Sequence, residues 1–361
     1  MASDTSSTID SSRDVGFRIG WLDVMRALAV LMVAYDHLVA LYLKQTRQTL
    51  WAHNLITRYI VEPFGIIQDF GWMGVCLFFL VSGFVITHVA YRERPVEFVV
   101  RRIFRIYPPL VVAILISVLI LRHQKDLTFS VTEVLVSFTL LNYFQTPQVV
   151  TLGIAWSLLV EIFFYGLVVC QMGLLKRVPF LATMFAIFGT AIVLYYCRAF
   201  GHTYFLVAAT FAYVPYLLFG QIVYLRAARR ISTLEACLLA VLCYVSLVLG
   251  VLRIHTQFYP IGNSYLLSFA YALLIFISAL AMDLKPGPVL RSIAQKSYGI
   301  YLLEGTLGVY LIFWLQGVGL SYPVALSGGI AVGYACCVLF YRLVEYPAQS
   351  IGRRIGRLIA T

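Results

Sequence analysis

The sequence predicts an all-α fold: a polytopic transmembrane helical bundle of about ten spans, with both termini in the cytoplasm. Three observations predict it. Of 361 residues, 61% are hydrophobic and 12% charged, roughly half the charged fraction of an ordinary soluble domain, and mean hydropathy is +0.88. Many stretches reach the ~20 consecutive apolar residues that cross hydrocarbon, without the alternation that barrel strands require. Lysine and arginine are also shared unevenly between alternate loops.

The spans fall at 21–43, 70–91, 104–121, 153–172, 178–197, 204–225, 234–252, 263–282, 298–316 and 322–341. Segment 131–145 is apolar but short, which suits a re-entrant or interfacial helix better than a span. One set of connections carries nineteen of the 27 basic residues, and the opposite set carries seven: Lys44, Arg47, Arg58, Arg122, Lys125, Arg198 and Arg253. The remaining one, Arg26, lies inside the first span. This bias orients the richer side, and both termini, toward the cytoplasm. Three parts follow: a disordered tail over 1–18, a membrane domain over 19–345, and a basic cytoplasmic tail over 346–361.

Smaller signals agree. Ser130 with Glu133, and Ser232 with Glu235, have capping-box spacing ahead of apolar runs. Gly329 and Gly333 form a G-x-x-x-G that permits close helix approach, more plausibly within one bundle than between copies. Net charge is +11. Basic residues flanking spans account for it, and no nucleic-acid motif accompanies the charge. The seven cysteines include no C-x-x-C pair and read as buried apolar residues. No pair of histidines has metal-ligand spacing, so no metal site is expected.

Charged and titratable residues inside spans are costly and mark function by default. Arg26 and His37 lie eleven residues apart in the first span. At 3.6 residues per turn they share a face, about 16 Å apart along the axis. A fixed cation and a titratable imidazole on one stripe suit a substrate with an anionic end and a distant reactive end. Asp36 adjoins His37 but points about 100° away around the helix. Asp23 is placed to pair with Arg26. In RRIFRIYPPL (101–110), Arg101, Arg102 and Arg105 suit bidentate phosphate recognition, although membrane anchoring is the plainer use of such a cluster. Glu161 lies mid-span in WSLLVEIFFY (156–165), placed to orient His37, hold a substrate hydroxyl or lock helices together. KSYGIYLLEGTL (296–307) sets Ser297 and Tyr301 on one face and adds a further in-span carboxylate, Glu304.

Six features in this order resemble the membrane acyltransferase-3 family of bacterial O-acyltransferases, which act on polysaccharides and on small molecules such as macrolides. They are the Arg26–His37 pair, GVCLFFLVSGFVIT (74–87), RRIFRIYPPL, WSLLVEIFFY, SYGIYLLE and the terminal VEYPAQSIGRR, together covering about residues 18–357. The resemblance implies a multi-pass protein of the bacterial inner membrane and transfer of an acyl group, usually acetyl, from cytoplasmic acyl-CoA. It implies that His37 is essential, that Arg26 is its paired arginine, and that the arginines of 101–105 help bind the donor. The mechanism expected is general-base catalysis by His37, held by Asp36 or Glu161, with donor contacts from Arg26, Arg101, Arg102, Arg105, Ser297 and Tyr301. Tyr301 is also a candidate oxyanion donor. The sequence departs from the family at Glu304, where many members carry histidine. It also ends at Thr361, soon after the tenth span, without the hydrolase-like domain some members append. Direct transfer to a saccharide or lipid-linked saccharide, or to a separate extracytoplasmic protein, is therefore expected. The competing readings are a transporter or flippase for an acyl group or lipid-linked saccharide, and a sensor or scaffold tolerant of alanine at Arg26 and His37.

Overall fold

A computed structural model describes residues 20–145, 148–258, 264–282 and 284–360. The expected tail over 1–18 lies outside these. The described residues are 86% helical and include no strand. Nine helical segments there are long and apolar enough to cross a membrane: α1 (Gly20–Thr46), α2 (Ile67–Arg92), α3 (Pro95–Gln124), α4 (Gly153–Arg177), α6 (His202–Ala227), α7 (Thr233–Gly250), α8 (Ser264–Met282), α9 (Ser297–Gly317) and α10 (Tyr322–Ile359). The tenth expected span, α5, is the shorter helix Pro179–Tyr195. Its 17 residues rise only about 26 Å, just under the ~30 Å of hydrocarbon.

The core is built around α2, the most deeply buried segment, which packs against α1, α4, α6 and α8. Glycine makes the tightest of these contacts possible. A Cβ on Gly83 would run into the backbone at Leu217, and one on Gly220 into the backbone at Leu80. Trp21 anchors α1 in this core, edge-on to Phe84 and Phe276 at 5.2 Å each. Aromatic pairs of this geometry add about 0.5–1.5 kcal/mol beyond the area they bury.

Segment 131–145 does not span. Its helix is Val131–Phe138, eight residues closed at the start by a capping box. Ser130 N donates to Glu133 Oε2 at 2.7 Å, and Glu133 N donates to Ser130 Oγ at 3.2 Å. The same reciprocal pair joins Ser232 and Glu235 ahead of α7. Within the G-x-x-x-G, Gly329 faces Ile312 of α9 from inside the bundle. Residues 346–360, the basic C-terminal stretch, are helical and lie along the start of α3, where Gly352 admits the Phe104 ring. The 31-residue helix Pro95–Lys125 is about 46 Å long, so its arginine-bearing first turns exceed the hydrocarbon thickness.

Candidate active site

Two of these helices are interrupted where they meet. In α1 the regular helix ends at Tyr35 and a π-helical turn runs Asp36–Leu41. In α9 a second π turn runs Glu304–Gly308. Single π turns widen a helix by one residue and recur at functional sites. Here the two face one another, and His37 Nδ1 meets Glu304 Oε1 at 2.6 Å. Glu304 is buried, and its other oxygen has no hydrogen-bond partner among the described residues. Small residues allow the approach: a Cβ on Gly305 would lie 3.3 Å from His37 Nδ1, and one on Gly308 would lie 2.9 Å from Leu38 Cδ2.

The expected partners of His37 lie elsewhere. The Asp36 carboxylate packs against Gly71, at the start of the helix Gly71–Arg92, in space that only glycine leaves open. Glu161 accepts a hydrogen bond from Ser82 Oγ at 2.5 Å and lines a cavity with Arg26 and Arg105. Helix register explains both corrections. Asp36 is rotated off the imidazole's face, and Glu161 enters the bundle at the level of Arg26 rather than of His37.

Two chambers result. The arginine cavity, of about 70 Å³, is walled by Arg26, Ser82, Arg105, Glu161, Ser297 and Tyr298, among others. It has room for a handful of waters. Arg26 also meets Asp23 at 3.5 Å, as the i, i+3 spacing predicts. Tyr298 OH donates to the Ile106 carbonyl at 3.0 Å, fixing α9 to α3 beside Arg105. The histidine chamber, of about 960 Å³, holds Asp36 and His37 under a polar rim of Lys44, Gln45, Gln68, Asp69 and Gln124. Trp72 and Trp156 stack in its wall, with centroids 6.0 Å apart and planes 9° apart. Tyr301 and Val75 line both chambers. The Tyr301 hydroxyl lies 2.7 Å from Ser157 Oγ and donates to the Ile154 carbonyl at 3.1 Å.

The three arginines of 101–105 part company. Arg105 faces the arginine cavity. Arg101 is held by Glu93 at 2.5 Å and by Glu97, and Arg102 lies over the Phe98 ring at 5.4 Å. Neither belongs to the cavity wall. Nothing in the sequence marks Glu304 as the imidazole's partner by spacing alone, nor sets apart Ser82, Ser157 or Glu345. Glu345 is buried, accepts from Gln349 Nε2 at 3.1 Å and feels the charge of Arg105. A usable signal existed for Glu304: an in-span carboxylate followed by Gly305 and Gly308, which mark close helix approach. Among the described residues no cluster of three or more His, Cys, Asp or Glu is placed to hold a metal ion.

Fold and site together define a multi-helix membrane protein with a histidine–carboxylate pair whose imidazole lines a large chamber, and with half-buried arginines in an adjoining cavity. The family model of an acyltransferase domain matches residues 19–342, most of the chain, and the protein belongs to this acyltransferase-3 family. No curated protein and no solved structure matches it.

Proposed function

We propose that this protein is an O-acyltransferase of the bacterial inner membrane. It moves an acyl group, acetyl foremost, from cytoplasmic acyl-CoA to a hydroxyl of a cell-surface polysaccharide or glycolipid precursor. The observation that carries this reading is the 2.6 Å contact between His37 Nδ1 and Glu304 Oε1, with His37 on the wall of a chamber with a polar rim. With Nδ1–H committed to the carboxylate, Nε2 is left as the base. His37 Nε2 takes the acceptor's hydroxyl proton while that oxygen attacks the thioester carbonyl carbon. The C–O bond forms, the C–S bond breaks, and the leaving thiolate of coenzyme A recovers the proton from the imidazolium. Glu304 fixes the tautomer and stabilises the imidazolium between these events, the part a buried carboxylate plays beside a catalytic histidine. Tyr301 OH, between the chambers, donates to the developing oxyanion once its proton turns away from the Ile154 carbonyl.

Arg26 and Arg105 supply the cationic end for the donor's phosphates. The donor's arm passes between the two cavities at Tyr301, whose ring packs edge-on against Phe78 at 5.3 Å. The charge bias of the loops sets the arginine cavity toward the cytoplasm and the chamber's rim toward the outside. The test is mass spectrometry of surface glycans from cells with the wild-type protein, with His37→Ala, and with none. An acyl mass present only with wild type is expected. Equal acylation by His37→Ala would overturn the mechanism.

A further inference from the structure

The rim of the histidine chamber contains a run of backbone strain. Gln68 (φ 53°, ψ 42°), Asp69 (φ 42°, ψ 49°) and Phe70 (φ 79°, ψ −12°) are consecutive left-handed residues, and none is glycine. The other non-glycine residues with positive φ among the described residues, Arg47, Asp126, Leu140 and Arg229, stand singly. Left-handed geometry presses the Cβ of an L-residue against the following carbonyl, whereas glycine, which has no Cβ, adopts it without penalty. Such strain persists only where the surroundings enforce it, and it gathers at functional sites.

The surroundings here do enforce it. Ile67 N donates to Ser268 Oγ on α8 at 3.2 Å, fixing the entry to the turn. Phe70 packs edge-on against Tyr35 at 6.0 Å, fixing its exit one residue before Asp36 in α1. Between these anchors, Gln68 and Asp69 both line the chamber that holds His37. The turn thus sets an amide and a carboxylate across the mouth of the reaction chamber, where three glycines would satisfy the backbone but present nothing.

Resting on the acyl-transfer reading above, we infer that Gln68 and Asp69 are acceptor-specificity residues. They grip the hydroxyls flanking the reactive one on an uncharged, polyhydroxylated acceptor. An amide both donates and accepts, and a carboxylate accepts, so adjacent hydroxyls are the groups they match. Polar sites of this kind reject analogues that lack the partner group, because the site's own groups are then left unpaired.

The test uses the full-length protein in nanodiscs with radiolabelled acetyl-CoA. Delipidated envelope polysaccharide from cells lacking the protein serves as acceptor. Label transferred to polysaccharide, coenzyme release without acceptor, and the thermal midpoint are measured. Gln68→Ala and Asp69→Asn should each cut transfer at least tenfold through a higher acceptor KM, with acceptor-free coenzyme release within twofold of wild type. Gln68→Gly and Asp69→Gly should lose transfer equally while the thermal midpoint holds or rises. Wild-type transfer by the glycine variants would overturn the inference. So would a parallel fall of both reactions in Gln68→Ala and Asp69→Asn, which would make the turn purely structural. If wild type releases coenzyme but labels no polysaccharide, the saccharide acceptor is wrong and the inference falls. If it does neither, the acyl-transfer reading itself fails.

Discussion

The two chambers that meet at Tyr301 are built on opposite terms. The arginine cavity is about 70 Å³ and sets Arg26 and Arg105 against Glu161. The histidine chamber is about 960 Å³ and commits its one imidazole to one carboxylate, with most of the remaining wall uncharged. A tight site rich in fixed charge recognises an anion by geometry and holds it. A roomy site with a single directed base accepts ligands of varied shape and acts on one atom. Under the proposed reaction this is the division between a constant donor and a bulky acceptor, and Tyr301 with Val75 forms the only wall that both chambers share among the described residues.

The sharpest way to break the comparison is at the histidine. His37→Ala should lower acyl transfer by roughly 10²–10⁴-fold, the usual worth of a positioned base, while donor binding by isothermal titration stays within about twofold. Loss of donor binding in that variant would erase the division. Glu304→Gln keeps the shape but removes the charge that steadies the imidazolium, and a fall of roughly 10²-fold in kcat with little change in donor KM is expected. An unchanged kcat would reduce the 2.6 Å contact to packing.

The arginines provide an internal control. Arg105→Ala should weaken acetyl-CoA binding by roughly tenfold or more, the worth of one charge-assisted hydrogen bond. Arg101→Ala, which breaks only the ion pairs with Glu93 and Glu97, should change it by less than about twofold. Equal losses would place Arg101 at the donor after all. The smallest effect belongs to Gly305→Ala. Its new Cβ would stand 3.3 Å from Nδ1, enough to shift the imidazole by a few tenths of an ångström. A fall in kcat of several-fold at an unchanged thermal midpoint would show that placement matters independently of stability.

Much of this architecture was legible in the chain, because membrane insertion simplifies the code. Hydrocarbon demands long apolar helices, and nine of the ten expected spans appear as such, with Pro179–Tyr195 falling about three residues short. Regular helix persists from Gly20 only to Tyr35, so His37 lies beyond it in the π turn and lines a different cavity from Arg26. Partners across helices were not legible. Periodicity says which way Glu161 and Glu304 point within their own helices, but not the depth at which each helix meets α1. The π turns compound this, because each adds a residue to a turn without a distinctive composition. Among the three arginines of 101–105, sequence supplied neighbours on a helix. It could not tell that Glu93 and Glu97 had already claimed Arg101.

The facing π turns at Asp36–Leu41 and Glu304–Gly308 also govern what kinds of change the protein can absorb. A π turn is a helix carrying one residue more than its regular form needs. Deleting a single residue inside either would restore ordinary winding and leave the helix beyond nearly in register, so the change falls on the turn itself: on the facing of His37 in one case and of Glu304 in the other. Substitutions along these stretches alter one side chain at a time, whereas a one-codon deletion would redraw the face each turn presents to the other. Length, as much as chemistry, is what these two short segments must preserve.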